Sequence, residues 1–291
     1  VSEFPIPLFT PFYLGYSLPR EIILRILYVA EMVGKAGLFT LKSLLPKIKE
    51  EHKIDFTIGN GDGITGGFGI GKNHAHYLHK LGVNVITNGE CVYFKRDVHQ
   101  VLSGTPFVLR PGNFPQKAPG RGWKTYEVGD QKIVVLNLLG VSGFTRVHPG
   151  NPFQLFDLFM EKITTITPFI FVDFHGATTA EKNTFFHYAD GRVSAIFGSH
   201  QKVQTADARV LPKGTGIITD AGRTGSNESV GGFEPQTEIF SFRTGAPQRS
   251  KEFQKGLEFQ GVIVDINAEG LCQEITSLRI PCTEEYQGGE S

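Results

Sequence analysis

An α/β protein is predicted, built as a layered sandwich rather than as one purely parallel sheet, and three observations predict it. Short apolar runs alternate with amphipathic stretches along most of the chain. The apolar runs stop abruptly in small and polar residues that carry an acid or a histidine. The strands also follow one another irregularly and end in a pattern that reads as a closing hairpin, residues 262–267 and 272–280 around Ala268-Glu269-Gly270. At 291 residues the chain can form one large domain or two ordinary ones, and it is long enough to bury most of its apolar surface without covalent staples. No internal linker or repeat stands out. The expected organisation is an arm at 1–20, a domain at 21–282 and a flexible tail at 283–291.

In chain order, residues 1–20 (VSEFPIPLFTPFYLGYSLPR) are rich in Pro, Phe and Tyr and have neither helical nor strand periodicity. Such a segment cannot fold alone, yet it is too apolar for a solvated tail. It is an arm packed on its own domain or a docking arm for another copy or a different protein. Residues 22–30 read as a strand, 33–37 as a turn, and 38–52 as a helix with Leu41, Leu44, Leu45 and Ile48 on one face. Pro46 inside that helix predicts a kink or a restart. Strands follow at 55–58 and 83–87, with a helix at 94–102. A Pro/Gly-rich connection (106–122) leads to an edge-like segment around Tyr126 and an apolar strand at 133–139. Residues 152–163 form an amphipathic helix, 169–172 a strand, 178–188 a helix and 193–197 a strand. A strand at 216–219 then runs into DAGRTGSNESVGG, and 234–242 reads as a short helix.

Composition excludes several classes. The 29 basic and 29 acidic residues cancel, so no general attraction to nucleic acid or to an anionic membrane is expected. No apolar run approaches the roughly 18 residues needed to span a bilayer, and the first residues lack a signal-peptide pattern. Cys91, Cys272 and Cys282 are widely spaced, form no CxxC pair and leave a thiol free, which fits a reducing compartment. The expectation is a cytoplasmic globular protein.

The candidate chemistry lies where the strands end. The apolar runs lead successively to Glu31, to Asp62 through Asn60-Gly61, to Glu90-Cys91 through Asn88-Gly89, to His175 and to His200. In α/β sheets the edge beyond the carboxyl ends of the strands is where ligands collect. Three carboxylates and two imidazoles delivered there are the donors of a metal site. Three converging carboxylates repel by about 4 kcal/mol per pair at about 4 Å and an effective dielectric of about 20, so a cation must sit among them. Two other patterns carry less. Residues 66–72 have GxxxxGK spacing, but Asn73 follows where a phosphate loop needs Ser or Thr, so a glycine loop beside the site is expected. His74, His76 and His79 lie on a helix without a Cys or carboxylate to complete a site, as surface residues do.

The segments ILYVAEMVGKAG, VDFHGATTAEK, DGRVSAIFGSH and VQTADARVLPKGTGIITDAGRTG, in this order, resemble the calcineurin-like metallophosphoesterases, and within them the YmdB-like branch of 2′,3′-cyclic-nucleotide 2′-phosphodiesterases. The resemblance covers about residues 22–280. It implies a four-layer α/β/β/α sandwich with a two-metal site at the strand ends, which activates water and polarises a phosphate. The family's opening GDVVG is AEMVG here, so Glu31 stands in place of the first Asp ligand. Its NGEN is Asn60-Gly61-Asp62-Gly63, so Asp62 replaces the bridging Glu and Gly63 replaces Asn. Its GNH is Gly89-Glu90-Cys91, which puts Glu90 in place of an Asn ligand and Cys91 in place of the general-acid His. His175 and His200 match, and the last His ligand is Lys202.

An ammonium has no lone pair for a metal, so Lys202 is expected to replace a lost ion as a fixed positive charge, with Glu31, Asp62, Glu90, His175 and His200 holding one divalent ion (Mn, Fe, Zn or Mg) or none, against two in the family. Cys91 is the candidate proton donor or nucleophile, opposed by Glu90, which raises a thiol pKa. Two functions are thereby expected. One is a catalytically degenerate binding or structural component. The alternative is an active metal-dependent phosphodiesterase with an altered metal site, acting on cyclic nucleotides or other phosphodiesters.

Overall fold

A computed structural model describes residues 21–284. The proposed arm at 1–20 and most of the 283–291 tail lie outside the described residues. Two sheets form the centre. The first has seven strands: β1 (Ile22–Val29), β2 (Glu31–Met32), β3 (Phe56–Asn60), β4 (Val85–Thr87), β11 (Arg223–Ser226), β12 (Leu257–Asn267) and β13 (Cys272–Pro281). Its order is β2-β11-β12-β1-β3-β4, with β13 paired to β12. The second has six, in the order β5 (Trp123–Val128), β6 (Gln131–Leu139), β7 (Ile170–His175), β8 (Ala195–Ser199), β10 (Gly216–Ile218) and β9 (Arg209–Val210).

Three apolar clusters show the layering. The odd residues of β1, Leu27 and Val29, pack with Leu41, Leu45 and Ile48 of α1 (Gly34–Glu51), with α2 (Lys72–Lys80) and with α3 (Val98–Gly104). The even residues, Ile26 and Tyr28, face Phe56 and Ile58 on their own sheet and Val135, Phe171 and Phe197 across the sandwich. Beyond the second sheet, Leu136, Val172 and Ile196 pack on Phe156 of α4 (Pro152–Ile163) and on Phe185 of α5 (Thr179–Ala189). Period-two alternation of strand side chains thus builds helix, sheet, sheet and helix layers. The last helix among the described residues is α6 (Pro235–Thr244). Among the described residues, no helix is long and apolar enough to cross a membrane.

The elements differ from expectation where glycine has a packing role. The turn expected at 33–37 is the start of α1. Gly34 alone makes the bend, with φ +58°. Position 37, inside the helix, requires glycine because a Cβ there would sit 2.6 Å from the Thr224 carbonyl oxygen. Helix α1 continues through Pro46 as one element. The helix expected at 94–102 starts later, at Val98, after a run of turns whose start aims the backbone N–H groups of Gly89 and Cys91 at Asp62. Strand β11, hidden in the glycine-rich DAGRTGSNESVGG, pairs with β12 and with β2. The closing hairpin β12–β13, the edge position of β5 and the bounds of α4 are as expected.

Candidate metal centre at the strand ends

Strands β1, β3 and β4 are parallel, as are β6, β7, β8 and β10, so their carboxyl ends form a common rim. On the face between the sheets each strand begins apolar and ends polar. Phe56 and Ile58 are followed by Asn60, Val85 by Thr87, Phe169 and Phe171 by Asp173 and His175, and Ala195 and Phe197 by Ser199. The same alternation that builds the middle core therefore delivers a buried polar cluster at its rim. His175 is the last residue of β7, paired with Leu139 and Ser199, rather than beyond the strand end as expected.

Asp173 is the hub beneath the site. Its carboxylate accepts from Tyr28 Oη at 2.8 Å, Asn60 Nδ2 at 3.0 Å, Ser199 Oγ at 2.7 Å and Thr87 Oγ1. Because the Ser199 hydroxyl donates to Asp173, it accepts from His175 Nδ1–H at 2.8 Å, which turns Nε2 toward the cluster. Neither Asp173 nor Ser199 was anticipated from the sequence. The available signal was position, since Asp173 precedes His175 by two on one strand and so shares its face.

Above this hub, Glu90 Oε2 lies 2.7 Å from His175 Nε2, and Glu90 Oε1 lies 3.3 Å from His200 Nδ1. The two imidazole nitrogens are 3.2 Å apart. Asp62 Oδ2 is 3.9 Å from His175 Nε2, and the Asp62 carboxylate accepts from the backbone N–H of Gly89 at 2.7 Å and of Cys91 at 3.1 Å. Donor atoms of Glu90, His175 and His200 lie within 4.8 Å of one another, as do those of Asp62, Glu90 and Cys91. Gly89 is required here, because a Cβ at that position would fall 2.2 Å from His175 Nε2.

Glu31 departs from the expectation that it joins this ligand set. It lies in neither donor group and instead pairs with Lys202, whose Nζ is 3.1 Å from Glu31 Oε1. Its other oxygen is buried without a hydrogen-bond partner among the described residues. Gly63 leaves the room that Glu31 occupies, since a Cβ there would sit 2.8 Å from Glu31 Oε1. The loop that carries Lys202 is held in an uncommon conformation, with φ +101° at His200 and +60° at Lys202. It is fixed from both sides. Gln201 N–H donates to Asp220 at 2.9 Å, Asp220 pairs at 2.8 Å with fully buried Lys182, and the Arg223 guanidinium donates to the Lys202 carbonyl at 2.7 Å. A strained backbone held by two such contacts, one of them to an Asp220 itself fixed by Lys182, marks a position where side-chain placement matters.

The charges in the cluster act on one another at short range. Burial, reinforced by Glu90, pushes Asp62 up to about 7. Burial opposes protonation of His175, but Glu90 outweighs it and raises the group to about 9. Glu90 itself is held below the ordinary carboxylate range, since His175 and His200 more than offset its burial. Burial and then Asp62 and Glu90 drive the Cys91 thiol upward, which disfavours its thiolate. Burial works against the Lys202 charge, yet Glu31 keeps its pKa above the ordinary value. The ring of Phe144 closes one side, 4.9 Å from the His200 ring.

The donor chemistry fits a divalent ion. Two imidazoles and the carboxylates of Glu90 and Asp62 converge as a mixed nitrogen and oxygen set suited to Zn, Fe or Mn. Beside Glu31 the Lys202 ammonium offers no lone pair to an ion.

The YmdB-like protein family profile matches residues 27–278. A Bacillus subtilis protein described as a 2′,3′-cyclic-nucleotide 2′-phosphodiesterase is 36% identical over 245 residues, covering 84% of this chain and 92% of that protein. A crystal structure of a phosphatase from Mycoplasma pneumoniae superimposes with a TM-score of 0.85 at 30% identity, over 90% of this chain and 94% of that one. A 5′-nucleotidase precursor from Thermus thermophilus, at 12% identity and TM-score 0.56, shares the fold over 89% of this chain and 54% of its own length.

Proposed function

The chain belongs to the YmdB-like family, and from that premise we propose that it is a metal-dependent phosphodiesterase working with one divalent ion and one built-in ammonium in place of two ions. The observation that carries this reading is the convergence of Glu90, His175 and His200, with Asp62 beside them, next to a Lys202–Glu31 pair. When bound, a divalent ion supplies Lewis acidity at a phosphate and acidifies water. Asp173 and Ser199 hold the His175 ring so that Nε2 faces the cluster. Lys202 offers fixed positive charge to a phosphate at the rim, and Phe144 narrows access beside His200. The substrate class follows the Bacillus relative, whose description names 2′,3′-cyclic nucleotides.

Slow turnover is part of the proposal. General acid catalysis contributes typically about 10²- to 10⁴-fold, and the Cys91 thiol at the proton-donor position is a poor stand-in for imidazole. The same observation favours a second reading, a catalytically retired protein that binds phosphodiesters or a partner without turnover. Hydrolysis of bis-p-nitrophenyl phosphate and 2′,3′-cyclic AMP in Mn²⁺ separates the two. The proposal predicts slow turnover that disappears in His175→Ala and rises at least about tenfold in Cys91→His. Turnover no greater than that of His175→Ala would establish the retired reading.

A further inference from the structure

A cavity of about 930 Å³ opens between α3 and α4 at the β5 edge of the second sheet. It shares no residue with the strand-end cluster. Arg110, Arg121 and Lys162 line it together with the aromatic rings of Phe114, Trp123 and Phe159, and Glu161 is the one acid on its wall. The wall therefore carries three cations against one carboxylate.

Arg110 distinguishes this cavity from an ordinary surface groove. Its side chain is only 5% exposed, and among the described residues no carboxylate pairs with it. The guanidinium donates to the carbonyls of Pro111 at 2.7 Å and, more loosely, of Gly112 and Ala118 at 3.4 Å, while Nε is buried without a partner. A buried guanidinium without a counter-charge is costly, and its flat fork matches phosphate or carboxylate. Neutral carbonyls position such a group without neutralising it. Arg121 and Lys162 are exposed at the mouth, where they add long-range attraction for an anion.

The aromatic residues define the rest of the ligand. Phe114, Trp123 and Phe159 are each half-buried, so apolar ring surface remains within the cavity. Phe114 is braced edge-on by Tyr93 at 5.5 Å, and Tyr93 is itself tied to the Pro119 carbonyl at 2.8 Å, so this wall is preformed. Pockets that combine apolar walls with a few convergent polar groups bind small molecules whose rings and charges match them. We propose that this cavity is a second ligand site, which takes a phosphorylated aromatic compound of mononucleotide size, with its phosphate toward Arg110, Arg121 and Lys162 and its ring among Phe114, Trp123 and Phe159.

Trp123 makes the test direct, because it is the single tryptophan in the chain. The full-length protein is titrated with AMP, adenosine and inorganic phosphate while Trp fluorescence is followed. The site predicts a saturable change with AMP and binding of adenosine at least about tenfold weaker, a difference of about 1.4 kcal/mol. Arg121→Ser with Lys162→Ser, both at exposed positions, should weaken AMP by at least tenfold while the protein stays folded. Arg110→Met should abolish the response. His175→Ala should leave it unchanged, which separates this site from the proposed metal centre whatever that centre does. Absence of a response to millimolar AMP, equal binding of adenosine and AMP, or loss of the response in His175→Ala would overturn the proposal.

Discussion

Two halves of one buried cluster solve the same electrostatic problem differently. Around Glu90, His175 and His200, acceptor and imidazole atoms converge at 2.7 to 3.3 Å, and the carboxylate is balanced by groups that exchange protons or an ion. Around Glu31 the balance is covalently fixed, because the Lys202 ammonium sits 3.1 Å away on a loop held by Asp220 and Arg223. In the proposed one-ion site the first half takes the exchangeable cation, and the Lys202 ammonium occupies the second. A carboxylate delivered by a strand end is thus not a ligand by virtue of its place. The charge opposite it decides.

The largest expected effect comes from opening the closed half. Lys202→Met should destabilise the protein by about 3 kcal/mol in urea unfolding, since it leaves Glu31 buried with an uncompensated charge. Adding Glu31→Gln to that variant should recover most of the loss. If Lys202→Met proves neutral, the pair does not hold this half together.

Nearly as large is the stabilisation expected from filling the open half. Mn²⁺ at about 100 times its Kd should add about 2.7 kcal/mol by mass action. The gain should vanish in His175→Ala and persist in Asp207→Asn, which lies away from the cluster.

The pH dependence in chelator sharpens the comparison further. Asp62 rises from an ordinary 3.8 to about 7 and His175 from 6.5 to about 9 in the folded protein. A folded value above the unfolded one means stability that is present at lower pH and lost as pH rises through the folded value. The ion-free protein should therefore lose stability between about pH 4 and 9, by at most about 1.4 kcal/mol per pH unit for each proton. Its alkaline part, from 6.5 to 9, should flatten in His175→Ala.

The smallest effect is a control outside the cluster. Asp207 is held below its ordinary value despite partial burial, by the hydroxyls of Thr219 and Thr205 and by Arg209. Its contribution is present above pH 3.8 and lost as pH falls through the lowered value. Asp207→Asn should flatten only the acid limb of the stability curve.

Much of this organisation was legible in the sequence because it rests on local rules. The bounds of helix α4 follow from its amphipathic period, and the structure shows why they are sharp: Asn151 caps it, accepting from Phe153 N–H at 2.9 Å, and Pro152 opens it. His175 and His200 were visible as polar residues ending apolar runs. Asp173 was not recognised because a single acid inside a strand carries no signal until the strands of the other sheet bring Tyr28, Asn60 and Thr87 to it. Strand β11 was hidden because glycines that admit close packing look like glycines that make turns. The separation of Glu31 from the ligand set was illegible for a further reason. It depends on the left-handed backbone at Lys202, which Asp220 and Arg223 impose from distant parts of the chain.

The most direct test of the contrast between the two halves is the number of ions bound. The protein is stripped with chelator, loaded with excess Mn²⁺, passed through gel filtration and assayed for metal by mass spectrometry. One equivalent per chain, lost in His175→Ala and retained in Cys272→Ser, is the result predicted by an open Glu90/His175/His200 half beside a closed Lys202–Glu31 half. Two tightly held equivalents per chain would contradict it, because Lys202 would then have to leave Glu31 and give its place to an ion.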